Sequence, residues 1–271
     1  MQFEIRRPAR PLADFVECLW LCASGGTDHP RERLLPDGSM ELVIDLLEGG
    51  DPSGAASGRG GVLLGPRAES FCIETSRPIS ALGVHFRPGG ALPFLGFPAT
   101  EVQGAVVPWE EIWKGRARDL RSELLENPAP AIRFRLLERF LLARITRPLA
   151  WPRPVAFGLT RFAGADAPSV ASVIDETGLS HRRFTGVFGD HVGLSPKVYS
   201  RLQRFQRALR RLERGASDDL AGLALDCGYF DQAHFNHDFR AFSGLTPTAF
   251  LARWTGRTNH VPDADPIPVA G

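Results

Sequence analysis

The second half of the chain contains two copies of one short unit, and this duplication restricts the fold more than any other feature of the sequence. The copies are VASVIDETGLSHRRFTGVFGDHVGLSP, residues 170–196, and LAGLALDCGYFDQAHFNHDFRAFSGLTP, residues 220–247. Val170 recurs 50 residues later as Leu220. After one inserted residue the spacing becomes 51, for the pairs Phe184 and Phe235, Phe188 and Phe239, Gly193 and Gly244, and Pro196 and Pro247. Such a repeat indicates two copies of one supersecondary unit.

Each copy is predicted to form a helix, a short turn and a second helix. Ser169 and Ser180 are placed to cap the two helices of the first copy. In the second copy Asp218 or Asp219 starts the first helix and Asp231 caps the second. The paired phenylalanines share one helix face and are expected to pack inward. Two helices joined in this way form a helix-turn-helix, whose second helix can enter the major groove of DNA.

The segment between the copies is strongly basic. Residues 197–214 hold seven basic side chains and one acid, a net charge of +6 in a chain whose total is +1. Pro196 suits the first position of a helix, and nearly 20 helical residues make a rod of about 28 Å. Successive major-groove faces lie about 34 Å apart. Taken alone, the charge is explained equally well by a solvated helix face. Together with the repeat, the charge favours a polyanionic partner.

The segment LALDCGYFDQAHFNHDFRAFSGLTPTAF resembles the second helix-turn-helix signature of the AraC/XylS family of bacterial transcription regulators. The shared pattern is A-x-x-x-G-[FY]-x-[DS]-[QS]-x-[HY]-F, followed by F and by G-x-[ST]-P. The resemblance covers Val155 to Arg253. It implies an all-α domain of about seven helices, with two helix-turn-helix units joined by a long helix, that binds double-stranded DNA asymmetrically.

In the first unit the resemblance assigns base contacts to Arg182, Thr185 and Gly186. Arg182 can pair with guanine, and Thr185 can touch a thymine methyl group or a phosphate. Gly186 replaces the long polar residue that is usual in the family and has no side chain with which to read a base. Gly186 and Gly189 each cost a helix about 1 kcal/mol relative to alanine. The first unit is therefore expected to fold less stably than the second, or to read bases less specifically.

In the second unit the resemblance assigns base contacts to Gln232, Ala233, His234, Asn236 and His237. The two amides can pair with adenine. The histidine at 234 is equally typical of a helix residue whose hydrogen bonds are satisfied within the protein. Phosphate contacts, which position the protein without reading sequence, are expected from Arg183, Lys197, Arg201 and Arg240.

The chain is predicted to be an α+β protein of two domains, with a β-rich N-terminal domain and an all-α C-terminal domain. Residues 1–107 contain predicted strands at Glu41–Leu47, Gly61–Leu64, Ser70–Glu74 and Ile79–Phe86, separated by turn sequences. PDGSMEL and GVHFRPGGA resemble motifs of an uncharacterised, cupin-like subgroup of the family's N-terminal domains. This second resemblance implies a small β-barrel that acts as a sensor or effector domain, and it carries no known ligand.

Three further segments complete the predicted organisation. Residues 108–146 are expected to form two antiparallel helices, whose apolar stripe packs on the barrel or forms a dimer surface. Residues 147–154, RPLAWPRP, are predicted to be a linker because proline interrupts helices. The DNA-binding domain is expected at 155–255, and the tail at 256–271 is expected to be disordered.

Trp20, His85 and Arg87 are the candidate effector residues, because an arginine beside aromatic rings suits an anionic or aromatic ligand. A cap on the RPGG turn explains Arg87 equally well. No metal or cofactor is predicted. A metal-dependent cupin enzyme needs clustered histidines, whereas this part has only His29 and His85, far apart in sequence. A three-thiolate zinc site or a thiol sensor would use Cys18, Cys22 and Cys72, but buried, inert cysteines are the favoured interpretation. A cupin-like, thiol-dependent or metal-dependent enzyme or sensor fused to a DNA-binding module is the alternative hypothesis.

The amino-acid composition favours a folded, non-membrane protein. Hydrophobic residues make up 43% and charged residues 23% of the 271 residues, enough to build folded cores. The segment MQFEIRRPARP lacks the apolar region of a secretory signal, so a cytoplasmic location is expected. We predict a non-enzymatic transcription regulator. Its expected partners are DNA, a small-molecule effector, a second copy of the chain, and RNA polymerase if it activates transcription. In a variant of this hypothesis, the N-terminal domain only dimerises and senses no ligand.

Overall fold

The computed structural model describes residues 2–26, 30–47, 60–164, 168–215 and 219–263. In these ranges the strands form two antiparallel sheets. The larger sheet has the order β1-β2-β7-β4-β5-β8 and the smaller one β6-β3-β9. The strands are Gln2–Arg6 (β1), Val16–Ser24 (β2), Arg31–Leu34 (β3), Glu41–Asp45 (β4), Gly61–Leu64 (β5), Phe71–Glu74 (β6), Ile79–Phe86 (β7), Val106–Pro108 (β8) and His260–Pro262 (β9).

The two faces of the larger sheet differ in chemistry. Leu42, Leu82 and Val84 point to one face and are fully buried in the N-terminal core. Cys18 pairs with His85 in the sheet, and His85 in turn pairs with Glu41. Because neighbours in register share a face, these three side chains lie together on the opposite face, which is polar and half-buried.

Four helices accompany the larger sheet, at Leu92–Leu95 (α1), Trp109–Trp113 (α2), Gly115–Glu126 (α3) and Pro130–Ala143 (α4). The prediction of two helices over 108–146 is wrong in one respect, because the first helix is broken at Lys114. That residue has φ 51° and ψ −134°, outside the helical region. Trp109 and Trp113, before the break, are buried in the N-terminal core. The apolar stripe of α4, including Leu137 and Leu141, packs on the same core.

Seven helices follow in the described part of the C-terminal domain, in agreement with the predicted α+β fold of two domains. They are Arg153–Ala163 (α5), Val170–Thr177 (α6), His181–Val192 (α7), Pro196–Glu213 (α8), Leu220–Asp226 (α9), Gln232–Ser243 (α10) and Pro247–Arg253 (α11). The helix pairs α6–α7 and α9–α10 are the two copies of the sequence repeat. The long helix α8 joins them. None of the helices in the described ranges is both long and apolar enough to cross a lipid bilayer.

The prediction of a disordered tail from residue 256 is wrong for residues 257–263, while 264–271 lie outside the described residues. His260–Pro262 forms β9, which pairs with β3 of the smaller sheet. Val261 is fully buried in the core of the C-terminal domain. Asp263 accepts hydrogen bonds from Arg33 at 3.0 Å and from the Cys72 thiol at 2.9 Å. A three-residue strand that contains proline gives no periodic signal, so its pairing depends on contacts that are distant in sequence.

The N-terminal domain also contacts α8 directly. Gln206 of α8 is 4% exposed and donates to the Pro36 carbonyl at 2.7 Å. Gln203 donates to the Asp37 carbonyl at 3.4 Å. The loop between β3 and β4 therefore rests on the helix that joins the two repeated units, and the two domains are connected by more than the linker.

Candidate nucleic-acid interface

Helix α7, the second helix of the first unit, presents its N-terminal half to solvent. The Ser180 hydroxyl accepts a hydrogen bond from the backbone N–H of Arg183 at 3.3 Å and so caps the helix, as predicted. Phe184 and Phe188 are fully buried, with ring centroids 5.6 Å apart. These anchors fix the roll of the helix about its axis. As a result Arg182 and Arg183 are exposed.

The rest of the predicted reading face of α7 is small. Thr185 is half-buried and Gly186 is exposed. A Cβ atom at Gly186 would meet no atom within 4 Å. The position therefore has open space in which a larger side chain would fit, and the glycine is not required by packing. Arg182 is left as the long polar side chain on this face.

Helix α10, the second helix of the second unit, has the same construction. The Asp231 carboxylate accepts a hydrogen bond from the backbone N–H of His234 at 2.7 Å. Phe235 and Phe239 are fully buried, with ring centroids 5.6 Å apart. The side chains left exposed on the opposite face belong to Gln232, Ala233, His237 and Arg240.

Two predicted base-reading residues of α10 are turned partly inward. The His234 ring meets Tyr229 edge-on, with centroids 5.2 Å apart, and its Nδ1 accepts a hydrogen bond from the Phe230 backbone at 3.4 Å. Its Nε2 lies 3.9 Å from the Asp238 carboxylate. These contacts favour the alternative in which His234 is satisfied within the protein. Asn236 is also half-buried.

The N-terminal domain contacts the opposite, C-terminal ends of both helices. Gly193 ends α7 with φ 77°, and a Cβ there would approach the Ala99 carbonyl to 3.0 Å. Gly244 ends α10 with φ 74°, where a Cβ would approach the Arg33 guanidinium to 2.7 Å. The backbone N–H of Ser70 donates to the carbonyl of the nearby Phe242 at 2.9 Å. The N-terminal turns that carry Arg182 and Gln232 therefore remain accessible.

Comparisons with known proteins agree with this architecture. Residues 173–253 match a family model described as a helix-turn-helix domain. A curated relative, the HTH-type transcriptional activator RhaS of Escherichia fergusonii, is 34% identical over 83 residues. The C-terminal part of the chain is an AraC/XylS-type DNA-binding domain. The aligned region is 31% of this chain and 30% of RhaS, so the chain spans about a third of that relative.

The N-terminal domain matches a different model, and solved structures match over more of the chain. Residues 4–108 match a domain of unknown function, DUF6597. A structure of ToxT from Vibrio cholerae is 11% identical, with a TM-score of 0.41 over 93% of this chain and 97% of that chain. A structure of ToxT from Vibrio cholerae O395 bound to (E)-4-(8-methylnaphthalen-1-yl)but-3-enoic acid is 11% identical, with a TM-score of 0.39. The match covers 93% of this chain and 98% of that chain.

The basic face of α8 in the AraC/XylS-type domain is largely used within the protein. Arg211 pairs with Asp226 at 2.5 Å. Arg207 donates to the Phe162 and Gly164 carbonyls at 3.1 and 3.0 Å. The Arg204 guanidinium lies 5.2 Å from the centre of the Tyr229 ring. These contacts join α8 to α5 and to the second unit. Much of the +6 charge therefore holds the domain together.

Arg201 is the predicted phosphate contact whose surroundings differ most from expectation. Its Nη2 lies 2.6 Å from Oδ1 of Asp238, a carboxylate that is 2% exposed. The hydrogen bond to Asp238 raises the pKa of Arg201. The guanidinium also lies 5.4 Å from the centre of the Phe242 ring. Arg201 therefore neutralises a buried charge within the domain, and its phosphate contact stays a prediction. Lys197, at the start of the same helix, is exposed.

The structure brings two of the three predicted effector residues, Trp20 and His85, to the same carboxylate. The Trp20 indole donates to Glu41 at 2.7 Å. His85 lies between Asp37, at 3.1 Å, and Glu41, at 3.8 Å. Burial opposes the charged imidazole, but hydrogen bonds to the two carboxylates outweigh burial and raise the pKa of His85 to about 11.

Arg87, the third predicted effector residue, is neutralised in the same way. Its guanidinium pairs with Glu17 and also donates to the Ala13 carbonyl at 3.2 Å. All three predicted residues thus have acceptors within the N-terminal domain. The sequence did not show that these carboxylates lie beside the three side chains, and their role towards an effector stays a prediction.

The thiols and histidines of the described residues do not form a metal-binding cluster. No group of three His, Cys, Asp or Glu side chains within the described ranges is arranged to hold a metal ion. Burial raises the pKa of both Cys18 and Cys22. Burial and a hydrogen bond to Asp263 raise the pKa of Cys72 to about 11. These three thiols therefore lack the lowered pKa of a reactive cysteine. His29 lies outside the described residues.

Proposed function

We propose that the chain is a sequence-specific DNA-binding transcription regulator. The observation that carries this proposal is the pair of capped helices, α7 and α10, each anchored by two buried phenylalanines and each exposing polar side chains from its first turns. Helix α8 has 18 residues, a length of about 27 Å. That length is close to the separation of about 34 Å between successive major-groove faces.

We assign base reading chiefly to Arg182 in the first unit and Gln232 in the second. Both are exposed near the N-terminal end of their helices. Arginine can donate two hydrogen bonds to guanine, and glutamine can pair with adenine. Thr185, Ala233, Asn236 and His237 complete the reading faces, and Gly186 and His234 contribute little. Exposed cations that flank these faces provide phosphate contacts, namely Arg183, Lys197 and Arg240.

The proposal is tested by selecting duplexes from a random pool with the full chain at about 0.15 M salt, where non-specific phosphate binding is weakened. We expect one enriched sequence with two half-sites about 10 base pairs apart. Enrichment of a single half-site would mean that one unit does not read bases. If no sequence is enriched, with or without added ligands, the proposed function is wrong.

Two variants then separate base reading from positioning. Arg182→Ala and Gln232→Ala should each weaken binding to the selected sequence by about 1–3 kcal/mol and relax selectivity at one base pair. Arg240→Ala is the matched control, because loss of an exposed phosphate contact should weaken selected and random DNA alike. Equal losses on both DNAs for Arg182→Ala or Gln232→Ala would refute the assigned reading role.

The N-terminal domain is proposed to modulate DNA binding through a small-molecule effector or through dimerisation. The direct contacts of its β3–β4 loop with α8 support such coupling. Leu142 and Ile145, at and after the end of α4, are exposed and support a homodimer surface there. RhaS is named as a transcriptional activator, which favours activation and hence RNA polymerase as a partner. Light scattering of wild type and Leu142→Lys tests the dimer.

A further inference from the structure

A cleft of about 200 Å³ lies where the linker passes between the N-terminal domain and the first helix-turn-helix unit. Its walls come from three parts of the molecule. Phe15 and Leu92 belong to the N-terminal domain, Arg147 and Trp151 to the linker, and His191 to α7. A molecule bound here would therefore contact both domains and the segment that joins them.

The apolar wall of this cleft, which we call the linker cleft, is flat and well supported. The Trp151 indole stacks on the Phe15 ring, with centroids 4.9 Å apart and planes inclined by 8°. Gly89 lies behind this pair with φ 76°, where a Cβ would come within 3.1 Å of the indole. A closed apolar cavity of about 150 Å³ is large enough to bind benzene. The linker cleft therefore has room for one aromatic ring with a short substituent.

Two basic side chains, Arg147 and His191, line the cleft. Arg147 is exposed and donates to the Gly96 carbonyl at 3.3 Å. His191 Nδ1 is hydrogen-bonded to the Val187 carbonyl at 2.9 Å, which orients the ring and leaves Nε2 available. Neither side chain has an ion pair with any residue in the described ranges. The predicted effector residues His85 and Arg87, in contrast, are both paired with carboxylates.

We propose that the linker cleft binds a small aromatic carboxylate. The ring would lie against Trp151, where stacking and apolar burial favour it. The carboxylate would accept hydrogen bonds from the Arg147 guanidinium and from Nε2 of His191. Binding itself is independent of DNA. The role of the ligand as an effector rests on the proposed function, since it would bias the position of α7 relative to the N-terminal domain.

The binding test uses the full chain without DNA. Benzoate, trans-cinnamate and indole-3-acetate are titrated by calorimetry, each beside its neutral amide as the matched compound. We expect at least one carboxylate to bind with Kd below about 1 mM and its amide to bind more weakly. If none of the three binds in this range, or if the amides bind equally well, the proposal is overturned.

Variants then locate the binding. Arg147→Gln and His191→Gln should each weaken carboxylate binding by about tenfold, as expected for loss of one charged hydrogen bond. Arg135→Gln, at an exposed position of α4, is the matched control and should leave binding unchanged. Equal loss in the control would mean that the anion is held by general charge and would refute the assigned site.

A DNA readout distinguishes this proposal from the proposed function. The affinity of the full chain for the selected duplex is measured with and without the bound carboxylate. A change in affinity that disappears in Arg147→Gln supports the effector role, and an unchanged affinity refutes that role while leaving the binding site established. Failure of the duplex selection itself would refute the proposed function without affecting the calorimetry.

Discussion

Replacement of Arg201 by methionine tests whether the basic face of α8 serves the fold before it serves DNA. The sequence predicts that this arginine contacts phosphate. In the structure its guanidinium instead lies 2.6 Å from the Asp238 carboxylate and against the Phe242 ring. Methionine removes the charge and keeps an apolar side chain against the ring. The variant therefore isolates the contribution of the ion pair.

The expected cost follows from the burial of each partner. Asp238 is 2% exposed and Arg201 is 36% exposed. Removal of one partner from a fully buried pair costs about 3–5 kcal/mol, because the other charge is left without compensation. Exposure of Arg201 screens the pair and lowers the estimate. We expect Arg201→Met to lower the free energy of unfolding by about 3 kcal/mol, the lower end of that range.

The assay is urea unfolding of the full chain, followed by tryptophan fluorescence. The double variant Arg201→Met with Asp238→Asn should recover most of the loss, because no uncompensated charge remains. Arg210→Met is the control on the same helix, since Arg210 is exposed, and it should change stability by less than about 0.5 kcal/mol. Suppose instead that Arg201→Met is as stable as Arg210→Met but weakens binding to all DNA with a smaller salt dependence. The phosphate prediction would then be correct and the reasoning above wrong.

Three further variants test other parts of the structure. His85→Gln should lower the free energy of unfolding by about 2 kcal/mol near neutral pH. The folded pKa of His85 is raised to about 11. The contribution of the charged imidazole to stability is therefore present at neutral pH and is lost as the pH rises towards 11. The difference between this variant and wild type in urea unfolding should therefore shrink at high pH, and a constant difference would contradict the His85–Asp37 pairing. Gly186→Ala should stabilise α7 by about 0.5–1 kcal/mol, because the added methyl group meets open space; a loss of stability would show that the helix is packed there. Asp263→Asn should speed amide exchange in β9, since its carboxylate pairs with Arg33 at 3.0 Å; unchanged exchange would mean that β9 is held by its backbone alone.

Local chemistry in the sequence was sufficient to predict the helix-turn-helix units. Ser169, Ser180 and Asp231 each accept the backbone hydrogen bond expected of a helix cap. Asp219 caps α9, while the alternative cap Asp218 lies outside the described residues. These predictions succeed because a cap needs only a short polar side chain three residues before the N–H that it accepts.

Features that depend on distant partners could not be predicted in this way. The sequence shows the charge of α8 but not that Asp226 and Asp238 of the second unit would neutralise Arg211 and Arg201. Likewise the strand β9 is stable because β3, more than 200 residues earlier, offers an open edge. The carboxylates around His85 come from the β3–β4 loop and from β4. In each case the decisive contact is tertiary, and no spacing along the chain indicates it.

The contacts between the N-terminal domain and the two helix-turn-helix units indicate which unit an effector would act on. The second unit is fixed to the N-terminal domain by the Ser70–Phe242 backbone hydrogen bond and by a Ser70 side-chain hydrogen bond to the Ser243 carbonyl at 3.0 Å. The first unit meets that domain through apolar and van der Waals contacts near Gly193, and the linker cleft lies beside it. A ligand shifts an equilibrium by as much as its affinity differs between two states. A carboxylate in the cleft should therefore change protection of the half-site read by α7 more than that read by α10. Footprinting of the selected duplex measures both, and equal changes would show that the two units move together.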